Sequence, residues 1–82
     1  MRDKKLPTLV FGEVLQELRL RQALTQDQLA ERADTERSHI SALERAEKGP
    51  ALATIFGLAD ALGMPAGELI GLVETRLKAH LR

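Results

Sequence analysis

Apolar residues recur along the chain with a helical period and never alternate with polar ones between turn residues, so an all-α fold is predicted. Phe11, Val14, Leu15 and Leu18 fall at i, i+3, i+4 and i+7. They share one face of a first helix from about Leu9 to Gln22, with Thr8 as its N-cap. Thr25-Gln26-Asp27-Gln28 has the form of a capping box, in which the Thr25 hydroxyl accepts from the backbone N–H near Gln28 and the Gln28 side chain reaches back. A second, short helix starts there, carries Leu29, Ala30 and Ala33 on one side, and ends near Ala33. Asp34-Thr35-Glu36 supplies a turn and a new cap, and a third helix runs from Thr35 or Glu36 to about Arg45. Gly49-Pro50 marks a loop, after which Leu52, Ile55, Phe56, Ala59 and Leu62 repeat the period up to Gly63. This fourth helix reads mainly as a core element, with Gly57 as a close-packing position inside it. Pro65 to Gly67 opens a last helical segment in which Leu69, Val73, Leu77 and Leu81 recur every fourth residue, with Gly71 as a candidate break.

The third helix sorts its residues sharply. With Arg37 at zero and about 100° per residue, Ser41, Arg45, Ser38 and Ala42 fall between about 40° and 140°, while His39, Leu43 and Ile40 fall between about 200° and 300°. One face must meet a core. The other is small and polar with an arginine at each end, whereas a face needed only for solubility would favour Glu and Lys.

Composition narrows the function. At 82 residues the chain has room for one domain, which buries only about 60% of the surface its unfolded chain exposes. Zero cysteines exclude a disulfide framework and thiolate zinc sites, and the two histidines, His39 and His80, lie far apart in sequence, so neither a metal nor another cofactor is expected. No apolar run approaches the roughly 18 residues needed to span a bilayer, and Met1 to Pro7 is a charged arm without a signal peptide's apolar core. A cytoplasmic protein is the expectation. An enzyme is not expected, since no cysteine nucleophile, phosphate-cradling glycine loop or acid, base and nucleophile constellation is present. Only Phe11 and Phe56 are aromatic, which argues against a stacking platform for single strands. Twelve basic and twelve acidic residues give a net charge of zero, so any phosphate-binding surface must be local.

Two short helices joined by a tight turn, the second with a polar face, form the unit that lays a recognition helix in the DNA major groove. The N-terminus of the first of these helices offers unpaired N–H groups to a backbone phosphate, and Gln26 adds a side-chain amide there as a candidate phosphate clamp. From Phe11 to Ile70 the chain resembles the helix-turn-helix domain of the lambda repressor and Cro family. The resemblance is carried by the run Leu24 to Ala30, by Ser38-His39-Ile40-Ser41-Ala42-Leu43-Glu44-Arg45, by Pro50 and by Leu58-Ala59-Asp60-Ala61-Leu62-Gly63.

The resemblance implies a five-helix, lambda-repressor-like domain over residues 8–70, preceded by a flexible basic arm at 1–7 and followed by a helical extension at 71–82. It also implies that Arg37, Ser38 and Ala42 meet base edges with Ser41 beside them, that Thr25, Gln26, Arg45 and Lys48 lie near phosphates, and that Arg19 and Glu44 form a buried ion pair. Arg37 suits guanine, to which it can donate a bidentate pair. The family usually has glycine where this chain has Ala23, Asp34 and Ala46, and a small cap residue where it has Glu36.

The partner expected on this reading is double-stranded DNA, bound as a homodimer. One short helix reads few base pairs, whereas two about 34 Å apart read a palindrome. The stripe of Leu69, Val73, Leu77 and Leu81 runs past the end of the family's usual core and is the expected dimerisation surface. The alternative is a protein-interaction module, an antitoxin or adaptor whose third helix meets a protein such as a toxin. The neutral net charge favours that alternative.

Overall fold

The computed structural model describes residues 5–81, and these form five helices: α1 (Lys5–Arg21), α2 (Gln26–Arg32), α3 (Arg37–Glu44), α4 (Leu52–Ala61) and α5 (Ala66–His80). No strand occurs among the described residues. The helices enclose one core built from Val10, Phe11, Val14, Leu15 and Leu18 of α1, Leu29 and Ala30 of α2, Ile40 and Leu43 of α3, Leu58, Ala59 and Leu62 at α4, and Leu69 and Val73 of α5. No single helix is long and apolar enough to cross a membrane.

α1 begins earlier than its period predicts. Lys5, Leu6 and Pro7 already form its first turn, so Thr8 lies inside the helix and does not cap it. Pro7 fits there because its φ is preset and the first N–H groups of a helix have no intrahelical partner to lose. These three residues were expected in the arm; the remainder of that arm, residues 1–4, lies outside the described residues.

Each of the four connections follows a common stop. After α1, the N–H groups of Ala23 and Leu24 return to the carbonyls of Leu20 and Arg19; after α2, those of Asp34 and Thr35 return to Glu31 and Ala30. After α3, those of Ala46 and Glu47 return to Leu43 and Ala42, and after α4, those of Gly63 and Met64 return to Asp60 and Ala59. This is the Schellman motif, which satisfies the last helical carbonyls by placing one residue in the left-handed region. Gly63 takes that position without strain at φ +73°, while Ala23, Asp34 and Ala46 take it at φ 56°, 54° and 59°.

The close-packing glycine is Gly12, and not Gly57 as expected. A Cβ on Gly57 would have nothing within 4 Å, so α4 packs nowhere against it, and it borders a cavity of about 220 Å³ beside Ala53 and His39. A Cβ on Gly12 would instead lie 2.5 Å from the Leu43 carbonyl oxygen and 2.9 Å from that of Glu44. α1 therefore crosses the end of α3 backbone against backbone.

α4 is also turned from its expected orientation. Leu58 joins Ile55, Ala59 and Leu62 toward the core, and Leu52 and Phe56 are 72% and 59% exposed. The apolar period had two solutions on this helix, because both Leu52-Phe56-Ala59 and Ile55-Leu58-Leu62 obey it. α5 runs through Gly71 without a break, so residues 71–80 continue the helix that begins at Ala66. Its stripe divides: Leu69 and Val73 are buried in this chain's own core and present no surface to a partner, Leu77 packs partly against the core, and Leu81 is exposed.

Candidate nucleic-acid interface

The start of α2 is built as its sequence requires. Thr25 is the N-cap, its hydroxyl accepts from the Gln28 N–H at 3.0 Å, and the Gln28 side chain accepts from the Thr25 N–H at 2.8 Å. α3 starts differently, since Glu36 holds the cap position without a side-chain hydrogen bond. The Thr35 hydroxyl is engaged with Nδ1 of the half-buried His39 at 2.9 Å.

Behind α3 stands a buried ion pair. Arg19 Nε and Nη2 donate to the two Glu44 carboxylate oxygens at 2.7 and 3.0 Å, with only 9% and 2% of the two side chains exposed. Nη1 of Arg19 donates to the Leu24 carbonyl at 2.7 Å. The Glu44 hydrogen bond raises the Arg19 pKa further above its ordinary value. Because both charges are out of water, removing one partner strands the other at a cost of about 3–5 kcal/mol. The pair thus fixes α3 to α1 and to the turn before α2.

Gln26 departs from its expected role as a freely offered clamp. Its Nε2 donates to Glu44 Oε1 at 3.0 Å, which extends the ion pair into a chain of three side chains. One N–H of the amide is committed inward and only the second remains for a phosphate. No signal in the sequence foretold this, since Gln26 and Glu44 lie on different helices.

The outer face of α3 follows the angular sorting. Ile40 and Leu43 are buried, His39, Ser41 and Ala42 are half-buried, and Arg37, Ser38 and Arg45 are exposed. Arg37 has no side-chain hydrogen bond or ion pair among the described residues, so its guanidinium is available. A shallow concavity of about 440 Å³ is lined by Lys48 together with Thr35, Glu36, Ser38, His39 and Ala42. Seven of the eight expected contact positions, Gln26, Arg37, Ser38, Ser41, Ala42, Arg45 and Lys48, thus belong to α3, its flanking loop or the network behind it. Thr25 is occupied with capping.

Two residues that sequence reasoning passed over shape this site. Gly12 sets how closely α1 backs α3, and its signal was a glycine inside an otherwise regular helical period. Glu47 forms an ion pair with Arg45, and nothing in its local pattern pointed to that role. Among the described residues no cluster of His, Asp and Glu side chains could hold a metal ion.

The chain belongs to the helix-turn-helix domain family, whose sequence pattern matches residues 10–70. It is 36% identical over 70 residues to the immunity repressor protein of Bacillus phage phi105, covering 85% of this chain and 48% of that protein. The chain therefore spans about half the length of that relative. It is 34% identical over 61 residues to an uncharacterized HTH-type transcriptional regulator of Sinorhizobium fredii, covering 74% of this chain and 79% of the other. Among solved structures it resembles the restriction-modification controller protein C.AhdI from Aeromonas hydrophila, with a TM-score of 0.73 at 35% identity, over 76% of this chain and 94% of that one.

Proposed function

We propose that the chain is a sequence-specific regulator of transcription, of repressor type, that reads a palindromic operator as a homodimer with α3 in the major groove. The observation that carries this reading is the contrast between the two sides of α3. Its back is locked by the Arg19–Glu44 pair, while its front offers Arg37 and Ser38 to solvent. Arg37 donates to a guanine edge and supplies about 1–3 kcal/mol of discrimination; Ser38 and Ser41 adapt to several partners, and Ala42 packs on a thymine methyl. Lys48 and the second N–H of Gln26 hold phosphates and set the register. The repressor direction is supported by the likeness to a phage immunity repressor.

The dimer surface in this reading is the outer side of α5. Ile70, Leu77 and Leu81 lie within about 40° of one another on the helix, beside the buried side that holds Leu69 and Val73, with Ile70 and Leu81 exposed and Leu77 partly packed on the core. A second copy is the occupant, because pairing such surfaces about a two-fold axis gives two recognition helices for the two halves of one site.

Selection of bound duplexes from a random library, with wild type, Arg37→Ala and Lys48→Ala, tests the reading. A palindrome should be enriched, Arg37→Ala should relax one base pair in each half, and Lys48→Ala should weaken all sequences about equally. Enrichment of single half-sites would remove the dimer. No enrichment even at low salt would remove sequence-specific DNA binding.

A further inference from the structure

Arg45 is the C-cap of α3, and Glu47 follows it by two residues. Ala46 between them is left-handed at φ 59°, and the Glu47 N–H closes on the Ala42 carbonyl at 2.9 Å. This reversal returns the Glu47 side chain to Arg45, whose Nε and Nη2 meet the two carboxylate oxygens at 3.2 Å each. The side chains are 63% and 56% exposed, so the pair stands in solvent and braces nothing in the core. Lys48, the next residue, borders the concavity shared with Ser38 and Ala42, which puts this pair at the rim of the outer face of α3. The guanidinium fork that would fit two phosphate oxygens is already filled by two carboxylate oxygens.

We infer that Glu47 is a built-in counter-ion that holds Arg45 until a DNA phosphate replaces it, and so lowers the affinity of the domain for every duplex. The inference rests on the reading that places Arg45 at the DNA backbone. When a phosphate displaces Glu47, the freed carboxylate keeps its negative charge beside the backbone, so the Arg45–Glu47 pair together neutralises little of the phosphate charge. The exchange then adds little to the salt dependence of binding. With a neutral residue in place of Glu47, the same phosphate contact releases an ion outright, for a slope of about 0.9 per contact. Phosphate contacts carry no sequence information, so base preference is untouched.

The test is a salt series of binding to one mixed-sequence duplex, with wild type, Glu47→Gln, Arg45→Ala and the double variant, each checked for folding by its helical circular dichroism. Glu47→Gln should tighten binding roughly two- to fivefold, the scale of one exposed ion pair. It should also steepen the slope of log affinity against log salt by up to about 0.9. In the Arg45→Ala background the same substitution should do neither. If Glu47→Gln gains as much without Arg45, the carboxylate merely repels DNA and the counter-ion role is overturned. It is overturned equally if Glu47→Gln changes nothing while Arg45→Ala weakens binding. If Arg45→Ala itself alters neither affinity nor slope, the placement of Arg45 at the backbone fails, and the inference with it.

Discussion

Gly12 and Gly57 both lie inside helices, yet their surroundings demand opposite things of a methyl group. At Gly12 a Cβ meets the carbonyl oxygens of Leu43 and Glu44 well inside contact distance, and backbone atoms at a helix end cannot step aside. Gly12→Ala should destabilise the domain by about 1–3 kcal/mol, as overpacking does. At Gly57 the new methyl enters open space, and Gly57→Ala should stabilise by about 0.5–1 kcal/mol through better helix propensity. Thermal unfolding of the two variants checks both signs, and a stabilising Gly12→Ala would contradict the close approach. The sequence left this choice open because a glycine's neighbours across the core are not adjacent in the chain. The exposure of Arg37 and Ser38 was legible from angular position alone, whereas the Gln26–Glu44 bond joins two helices and the Arg45–Glu47 pair depends on the left-handed turn at Ala46.

Among the elements, the boundaries read best where the chain carries its own stop and start chemistry. The capping box at Thr25 was visible in the order of residues, and the positive φ at Ala23, Asp34 and Ala46 falls where the resembled family usually has glycine. The start of α1 was missed because Lys5 and Leu6 carry no cap signal, and the rotation of α4 because two apolar faces competed. A left-handed alanine is disfavoured by about 1–2 kcal/mol, and glycine in its place gives back about 0.4–1 kcal/mol through the entropy of the unfolded chain. Ala23→Gly and Ala46→Gly should therefore each stabilise by up to about 1 kcal/mol, and Asp34→Gly by less, since Asp tolerates this region better. Denaturant melts measure the difference. Destabilisation at either alanine would mean that its turn is not held as described.

Across the whole molecule, α5 is fastened to α1 by charge as well as by Leu69 and Val73. Glu17 accepts from Arg76 of α5 and, at 2.6 Å, from Arg21 of its own helix, and His80 Nε2 lies 3.5 Å from Glu13. The Arg76 hydrogen bond is the main reason the Glu17 carboxyl titrates below its usual range; desolvation opposes it, and the charges of Arg76 and Arg21 add to it. A carboxyl lowered in the folded state adds stability above its unfolded pKa and loses it as pH falls through the folded one. Glu17→Gln should therefore melt below wild type at neutral pH, with the gap narrowing as the pH falls below the ordinary glutamate range of about 4.3. A gap that stays constant with pH would assign the effect to packing.

The close approach of α1 to the end of α3 has a consequence for whatever α3 touches. A helix pressed backbone to backbone at Gly12 and tethered through Arg19 and Glu44 has little room to tilt or slide. If α3 meets a duplex as proposed, the bending, twisting and groove-width changes needed for a fit fall to the nucleic acid. Their energetic cost depends on base steps that no side chain reaches. The stiffness of one glycine contact is thus a route by which a protein can favour soft sequences over stiff ones without touching the bases that differ.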